Sequence, residues 1–220
     1  MVTLTVQQLD KRYGKHTVLN RVKFNSTLPV VGIAGRNGAG KSTLMRCITG
    51  LLKPDRGRVE WIMNGTAKTP DEVLNNHRLG FAAPYIELYE GLTGLENLRF
   101  LLRLQRKEKE WRESEMHSHL TLFDANLFSE RPYGELSTGQ RQRIRLAAAC
   151  LNDPDILCLD EPGSNLDQEG EKLVVRTIER YRTGGRLVIL ASNSREELQL
   201  CDEILDLDLP ISIESPDKPT

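Results

Sequence analysis

The sequence lacks a long apolar run and an excess of either charge. No apolar stretch approaches the roughly 18 residues that a membrane-spanning helix needs. The 30 basic and 31 acidic side chains leave a formal net charge of −1, which gives no reason to expect a nucleic-acid or anionic-membrane binder. Residues 1–6 lack the basic and then apolar pattern of a signal peptide. We therefore expect a cytoplasmic protein that reaches a membrane only through a partner.

Cysteine is scarce, and no internal repeat is visible. The four cysteines (Cys47, Cys150, Cys158 and Cys201) are scattered without metal-ligand spacing, so we interpret them as small buried thiols in a reducing compartment. A chain of 220 residues can bury a sizeable core. We predict a single domain over residues 1–210 and a short tail at residues 211–220 whose end is frayed.

One motif predicts a phosphate-binding loop. It lies between an apolar run at residues 30–34 and helix-compatible residues 44–48, and it consists of Gly35, Arg36, Asn37, Gly38, Ala39, Gly40, Lys41, Ser42 and Thr43. The glycines turn backbone N–H groups inward, and the helix N-terminus adds positive charge. We expect Lys41 to reach the β- and γ-phosphates and the Ser42 hydroxyl to bind Mg²⁺. A glycine-rich turn with a chance lysine would not explain the flanking strand and helix.

Two adjacent carboxylates form the second motif. Residues 156–159 are an apolar run that predicts a strand buried on both faces, and Asp160 and Glu161 follow it directly. Open α/β sheets bind ligands at this end of their strands. Asp160 can orient Mg²⁺, directly or through water, and Glu161 can act as general base on the attacking water. A solvated acidic turn is the alternative, which the phosphate loop makes less favoured.

A serine- and glycine-containing helix start is the third motif, at residues 136–140. Ser137 can cap the following helix, and Gly139 lets a phosphate approach the backbone. Such a start is an anion site by itself. An ordinary capped helix is the alternative, which these five residues alone do not exclude.

The order of apolar patterns predicts an α/β fold. Strands are expected at residues 2–6, 18–24, 30–34, 58–63, 79–83, 156–159 and 187–191, and helices after the phosphate loop and at residues 138–151 and 169–182. Between strands 79–83 and 156–159 the chain is rich in leucine and charge, with Thr93 and Glu96 as a capping box. We predict a phosphate-loop NTPase core with a mainly parallel sheet, an N-terminal antiparallel β subdomain, and a helical subdomain inserted at about residues 84–150.

These motifs resemble those of the nucleotide-binding subunit of ATP-binding-cassette (ABC) transporters, over about residues 4–207. Residues 35–43 resemble the Walker A loop, 136–140 the family signature with Thr138 in place of a glycine, 155–161 Walker B with the catalytic glutamate, and 164–167 the D-loop. Tyr13 stands where the family places an aromatic that stacks on adenine. The resemblance separates this chain from other phosphate-loop NTPases, because the signature is particular to this family.

The resemblance implies ATP and Mg²⁺ as cofactors and two kinds of partner. A second nucleotide-binding subunit, identical or different, would close head to tail and trap ATP between one Walker A loop and the other signature. Ser137, Gly139, Gln140 and Asp167 would then belong to the nucleotide-binding set. A transmembrane permease would contact the helical subdomain, and the protein would lie on the inner face of the membrane through that subunit.

Two family positions are changed. The glutamine expected after residues 79–83 is replaced by Pro84, and no glutamine occurs between Gln8 and Gln105. The switch histidine is replaced by Asn193, whose neutral amide can donate a hydrogen bond but cannot become a cation. We hypothesise that ATP binding is intact and that hydrolysis, carried by Glu161, Lys41 and Asn193, is retained but slower.

The leading hypothesis is the ATPase subunit of a membrane transporter, with export as the expected direction. Export is favoured by the resemblance of residues 88–98 to exporter-type relatives and by the lack of a further C-terminal domain. A soluble ABC-type ATPase in an assembly process and a slow-turnover nucleotide-gated module remain alternatives. A DNA-repair ATPase is disfavoured, because the charge is near neutral and no long coiled coil is present.

Overall fold

The structure, a computed structural model, describes residues 2–107 and 110–209. Its elements in chain order are β1 (Val2–Tyr13), β2 (His16–Ser26), β3 (Val30–Ala34), α1 (Lys41–Thr49), β4 (Arg56–Met63), β5 (Thr66–Lys68), α2 (Pro70–Asn75), β6 (Leu79–Ala82), α3 (Gly94–Leu104), α4 (Glu113–Leu122), α5 (Thr138–Ala149), β7 (Ile156–Asp160), α6 (Gln168–Thr183), β8 (Leu187–Ala191), α7 (Arg195–Leu198) and β9 (Glu203–Asp206). The predicted tail at residues 211–220 lies outside the described residues.

A parallel sheet in the order β6-β7-β8-β3-β9 forms the centre of the fold. Every residue of β3, β7 and β8 is buried, as expected for apolar strands covered on both faces. Parallel strands end at one common edge, so Ala34, Asp160 and Ala191 bring the segments that follow them together. This topology confirms the predicted α/β fold with a mainly parallel sheet.

The second sheet is antiparallel, in the order β2-β1-β4-β5, and confirms the predicted N-terminal β subdomain. β1 is longer than the expected strand at residues 2–6 and continues to Tyr13. Its polar second half pairs with β2 at Leu9 and from Lys11 to Tyr13, and with β4 at Asp10. The register shifts around Gln8, whose φ is 45°, and this irregularity keeps Leu9 buried. The polar composition of this part had indicated a turn, whereas it belongs to a central strand of the sheet.

The helical segment between β6 and β7 packs as one layer. α3 begins at Thr93, where the Thr93 Oγ accepts from the Glu96 N–H (3.1 Å) and the Glu96 carboxylate accepts from the Thr93 N–H (2.8 Å). This confirms the predicted capping box. Apolar residues of α3, α4 and α5 share one cluster, which includes Leu98, Leu120 and Ile144. Within residues 2–107 and 110–209, no helix combines the length and the apolar character that crossing a bilayer requires.

Candidate nucleotide-binding site

The loop between β3 and α1 presents backbone donors to an open space. Gly38 and Gly40 have φ values of 85° and 105°, in the left-handed region that favours glycine. A Cβ on Gly40 would lie 2.9 Å from the Leu19 side chain, so only glycine fits there. Gly40 caps α1 without a side-chain hydrogen bond, which leaves the first N–H groups of the helix for an anion.

The first residues of the loop are fixed by an aspartate beyond β9. The Arg36 N–H donates to Asp208 Oδ2 at 2.6 Å, and the Arg36 Nε lies 3.5 Å from Asp208 Oδ1. The Arg36 side chain itself is exposed. Arg36 therefore belongs to the loop through its backbone N–H, which Asp208 holds in place.

Lys41 connects the loop to the strand-end carboxylates. Its Nζ donates to the Gly35 carbonyl at 2.8 Å and lies 3.3 Å from Glu161 Oε1. The ammonium group is almost fully buried, so these two contacts replace its lost hydration. The structure thus brings together two of the predicted catalytic residues, with the cation positioned between the glycine loop and the acid.

Asp160 carries a buried carboxylate that accepts no hydrogen bond from the described residues. Its residue is 1% exposed, and neither carboxylate oxygen has a partner of hydrogen-bond geometry in the described chain. Burial raises the pKa of Asp160, although the nearby Ser42 and Tyr85 hydroxyls and the Lys41 cation oppose this. Carboxylate and hydroxyl oxygens are ligands that Mg²⁺ prefers. Asp160 together with Ser42 is therefore a suitable place for a divalent cation.

Glu161 is held in an unusual backbone conformation. Its φ is 47°, a left-handed value that is uncommon outside glycine. The Glu161 N–H donates to the Ala191 carbonyl at 2.8 Å, and its carbonyl accepts from the Ser164 N–H at 3.1 Å. Strained positions of this kind cluster at functional sites. Here the turn directs the carboxylate towards Lys41.

Asn193 lies against the phosphate loop, although 156 residues separate it from its partner there. Its Nδ2 donates to the Asn37 Oδ1 at 3.1 Å. The contact follows from the sheet order, because β8 is the neighbour of β3. An exposed amide at this place can donate to an anion bound by the loop.

Ser137 and Gln140 form a reciprocal cap at the start of α5. The Ser137 Oγ accepts from the Gln140 N–H at 3.3 Å, and the Gln140 Oε1 accepts from the Ser137 N–H at 3.0 Å. A Cβ on Gly139 would lie 3.3 Å from the Asn165 carbonyl oxygen. Within the described chain, the side-chain hydrogen bonds of Ser137 and Gln140 remain in their own helix start and do not reach residues 35–43.

Asp167 links α5 to α6. Its carboxylate accepts from the Gly170 N–H at 2.9 Å and from Arg143 of α5 at 2.9 Å. The Gly170 bond, followed by Arg143, lowers the pKa of Asp167. The predicted D-loop residue therefore has a structural role in this chain as the cap of α6, and it fixes residues 164–167 beside the start of α5.

Tyr13 ends β1 and is half exposed. The Lys11 Nζ lies 5.9 Å from its ring centroid, and Tyr13 pairs with His16 across the hairpin. The following strand reaches the phosphate loop, because a Cβ on Gly40 would lie 3.2 Å from the Val18 carbonyl oxygen. The ring is therefore on a hairpin that contacts the loop, and one of its faces can receive a planar ligand.

Three residues at this edge were not predicted from the sequence. Tyr85 lies near Asp160, and the Arg46 guanidinium lies 4.0 Å from its ring centroid. Glu197 of α7 accepts from the Gly163 N–H at 2.8 Å. Burial, and then the charge of Glu161, raises the pKa of Glu197. Only Arg46 had a usable signal, because it lies four residues after Ser42 and so on the same helix face.

A glycine loop between the first strand and helix of a parallel sheet, facing an acidic strand end, defines a phosphate-loop NTPase. Comparison with known proteins narrows this class. The family model described as ABC transporter matches residues 20–164. The "Probable sulfate/thiosulfate import ATP-binding protein" of Chlorella vulgaris is 31% identical over 212 residues, which cover 94% of this chain and 88% of that protein.

Two further comparisons agree. The daunorubicin resistance ATP-binding protein of Streptomyces coeruleorubidus is 33% identical over 210 residues, which cover 93% of this chain and 65% of that protein. A dimeric ATP-binding cassette in a post-hydrolysis state, bound to ADP and Pi, has the same fold, with a TM-score of 0.79 and 22% identity over 92% of this chain and 93% of that one. The chain belongs to the ABC transporter family, among its ATP-binding, ATP-hydrolysing subunits.

Proposed function

We propose that this protein hydrolyses ATP in a head-to-tail dimer and thereby drives a transmembrane permease. The observation that carries the proposal is the convergence of Lys41, Glu161 and Asp160 beside the glycine loop. The Lys41 cation lies 3.3 Å from the strand-end Glu161. The buried Asp160 beside them has no hydrogen bond among the described residues. Together these groups are suited to hold a phosphate, a water molecule and a metal ion.

The donor set fits Mg²⁺. The Ser42 hydroxyl and the Asp160 carboxylate would hold it, and Asp160 would gain the partner that it lacks in the described chain. When bound, the ion would neutralise charge on the phosphate oxygens. Lys41 would exchange the Gly35 carbonyl for the phosphates, and Glu161 would take the proton of the attacking water.

A second subunit would complete the site. The start of α5 carries a glycine and free helical dipole, but its capping side chains do not reach residues 35–43 of the same chain. A partner placed head to tail would bring its own Ser137, Gly139 and Gln140 to this loop, with Tyr13 stacked on adenine. The fold similarity to a cassette solved as a dimer supports this arrangement. The partner is a second copy or a related subunit.

Two groups support slower turnover. Pro84 has no side-chain donor for the metal or the attacking water, and Asn193 stays neutral. The contact of Asn193 with Asn37 nevertheless leaves an amide at the loop (3.1 Å). We therefore expect normal ATP affinity with reduced phosphate release. If release were absent, the chain would act as a nucleotide-gated module.

A permease on the helical subdomain would give the protein its place at the cytoplasmic face of a membrane. The names of its relatives support transport, since they include import and resistance ATP-binding proteins. Import and resistance proteins are both among these relatives, so their names do not decide the direction of transport. The resemblance of residues 88–98 to exporter-type relatives supports export. Co-purification with the membrane protein of a neighbouring gene would support transport, and association with soluble assembly proteins instead would favour the alternative ATPase role.

Glu161→Gln tests the proposed chemistry. We expect the wild type to release phosphate from ATP with Mg²⁺, and the variant to lose this activity while accumulating an ATP-bound dimer, measured by light scattering. Glu169→Gln is the matched control, since Glu169 is an exposed glutamate of α6 paired only with Lys172 among the described residues. Wild-type phosphate release no higher than that of Glu161→Gln would contradict retained hydrolysis.

A further inference from the structure

The loop after β6 is held between two arginines. This 83–87 loop turns at Ala83, whose carbonyl accepts from the Ile86 N–H at 3.1 Å. Arg145 of α5 is 6% exposed, and its Nη1 donates to the Pro84 carbonyl at 2.9 Å. On the other side, Arg46 of α1 packs on the Tyr85 ring at 4.0 Å. The loop thus connects the helix that follows the phosphate loop with the helix that follows the signature.

This packing holds Tyr85 beside the strand end that carries Asp160. The parallel register pairs Ala82 with Leu159, so the ends of β6 and β7 are adjacent. The Tyr85 ring is fixed by Arg46 and lies 6.0 Å from the Phe81 ring. Arg46 follows Ser42 by one helical turn of α1, so the ring that Arg46 holds lies on the Ser42 face of that helix. Burial, and then the charge of Asp160 at the end of the neighbouring strand, raises the pKa of Tyr85. Both Asp160 oxygens lack a hydrogen bond in the part of the chain that the structure describes.

We propose that Tyr85 replaces the missing glutamine as a positioning residue at the metal site: with the ion bound, its hydroxyl would donate to Asp160 and orient that carboxylate beside Ser42. The inference rests on the proposed function, because it concerns the same Mg²⁺ site. A carboxylate has about four acceptor positions, so it can accept from Tyr85 and still bind a metal ion or its water. Tyr85 acts on the metal through Asp160 and is not itself a catalytic residue.

The two arginines explain why a tyrosine in the position after Pro84 can orient the Asp160 carboxylate. A phenol is rigid and has only two side-chain torsions, so fixing the loop backbone and the ring face also fixes the hydroxyl. Arg145 fixes the backbone through the Pro84 carbonyl, and its guanidinium also lies 3.4 Å from Glu87 Oε1. Arg46 fixes the ring. A glutamine side chain would need no such support but would lose more rotamer freedom.

Tyr85→Phe tests the inference because it keeps the ring and removes only the hydroxyl. The measurement is the Mg²⁺ concentration that half-saturates binding of a fluorescent ATP analogue, with metal-free binding measured in EDTA. We expect the Mg²⁺ requirement to rise roughly tenfold, as for the loss of one hydrogen bond to a charged group, while metal-free binding stays unchanged. Mn²⁺ binding, followed by electron paramagnetic resonance, is expected to weaken by a similar factor.

Tyr89→Phe is the matched control, since Tyr89 is exposed and packs edge-on against Phe100 at 4.8 Å. An unchanged Mg²⁺ requirement in Tyr85→Phe would overturn the inference. A loss of metal-free binding would overturn it as well, because the hydroxyl would then support the fold and not the metal. The binding measurements require neither turnover nor dimerisation. Their result is therefore independent of the outcome of the Glu161→Gln experiment that tests the proposed function.

Discussion

Replacing Asp160 by asparagine should stabilise the nucleotide-free protein and lower its affinity for Mg²⁺·ATP. The native carboxylate is buried with two oxygens that have no hydrogen bond in the described chain. A buried unsatisfied group costs about 1–3 kcal/mol, and more when charged. Lys41 and Arg46 offset part of this cost through their charge. We therefore expect Asp160→Asn to raise the free energy of unfolding by about 1–2 kcal/mol.

The assay is urea unfolding with and without saturating Mg²⁺·ATP. A ligand at a hundred times its Kd adds about 2.7 kcal/mol to the native state, and we expect the wild type to gain this amount. Asp160→Asn should gain clearly less, because the metal loses a carboxylate ligand or the acceptor for its bound water. The same substitution thus has opposite effects on the free and the ligated protein.

Asp202→Asn is the matched control. Asp202 has partners, since its carboxylate accepts from the Val30 N–H at 2.9 Å and lies near Arg182 (3.4 Å). Its replacement should lower the free energy of unfolding by no more than about 1 kcal/mol and leave the gain from Mg²⁺·ATP intact. An Asp160→Asn protein that is less stable than the wild type without nucleotide would refute the idea of an unpartnered buried charge. An undiminished gain from Mg²⁺·ATP would refute the metal role.

Two further predictions concern histidine. Burial lowers the pKa of His119. The His119 Nε2 lies 2.8 Å from the Ala147 carbonyl oxygen. Its folded pKa is below the unfolded value of about 6.5, so its contribution to stability is complete above that pH and is lost as the pH falls below it. Unfolding at pH 7 and pH 5 should therefore show a smaller loss in His119→Gln than in the wild type, and equal losses would contradict a buried neutral imidazole. Asn193→His should raise the rate of phosphate release by about tenfold, as one charged hydrogen bond allows; an unchanged rate in a coupled phosphate assay would mean that the amide is sufficient.

Local chemistry explains what could be predicted from the sequence. The strand, the glycine loop and the helix start that form the phosphate site are consecutive in the chain. Asp160 and Glu161 likewise stand at the end of their own apolar strand. Each motif could therefore be recognised from a short segment. The capping box at Thr93 and Glu96 is equally local, and the structure confirms it. The alternation of strands and helices was sufficient for the parallel sheet.

Contacts between distant segments could not be predicted in the same way. Arg145 and Pro84 are 61 residues apart, and no pattern in either segment announces their hydrogen bond. The position of Tyr85 depends on a turn, a stacking arginine and the register of β6 with β7, which become visible only in three dimensions. The second half of β1 could not be predicted for a related reason, because its pairing with β2, and with β4 at Asp10, outweighs its polar composition.

The sheet order has a consequence for how the protein is made. β3 lies between β8 and β9, so the strand that leads into the phosphate loop is synthesised early, while β8 begins at Leu187 and β9 only at Glu203. Until then the unpaired backbone N–H and C=O groups of this apolar strand are open to wrong pairing. The Asp208 carboxylate that holds the Arg36 N–H at 2.6 Å arrives later still. A ribosome-bound chain would therefore carry the complete nucleotide motif long before it could hold a nucleotide, and its sensitivity to aggregation should end only when β9 is released.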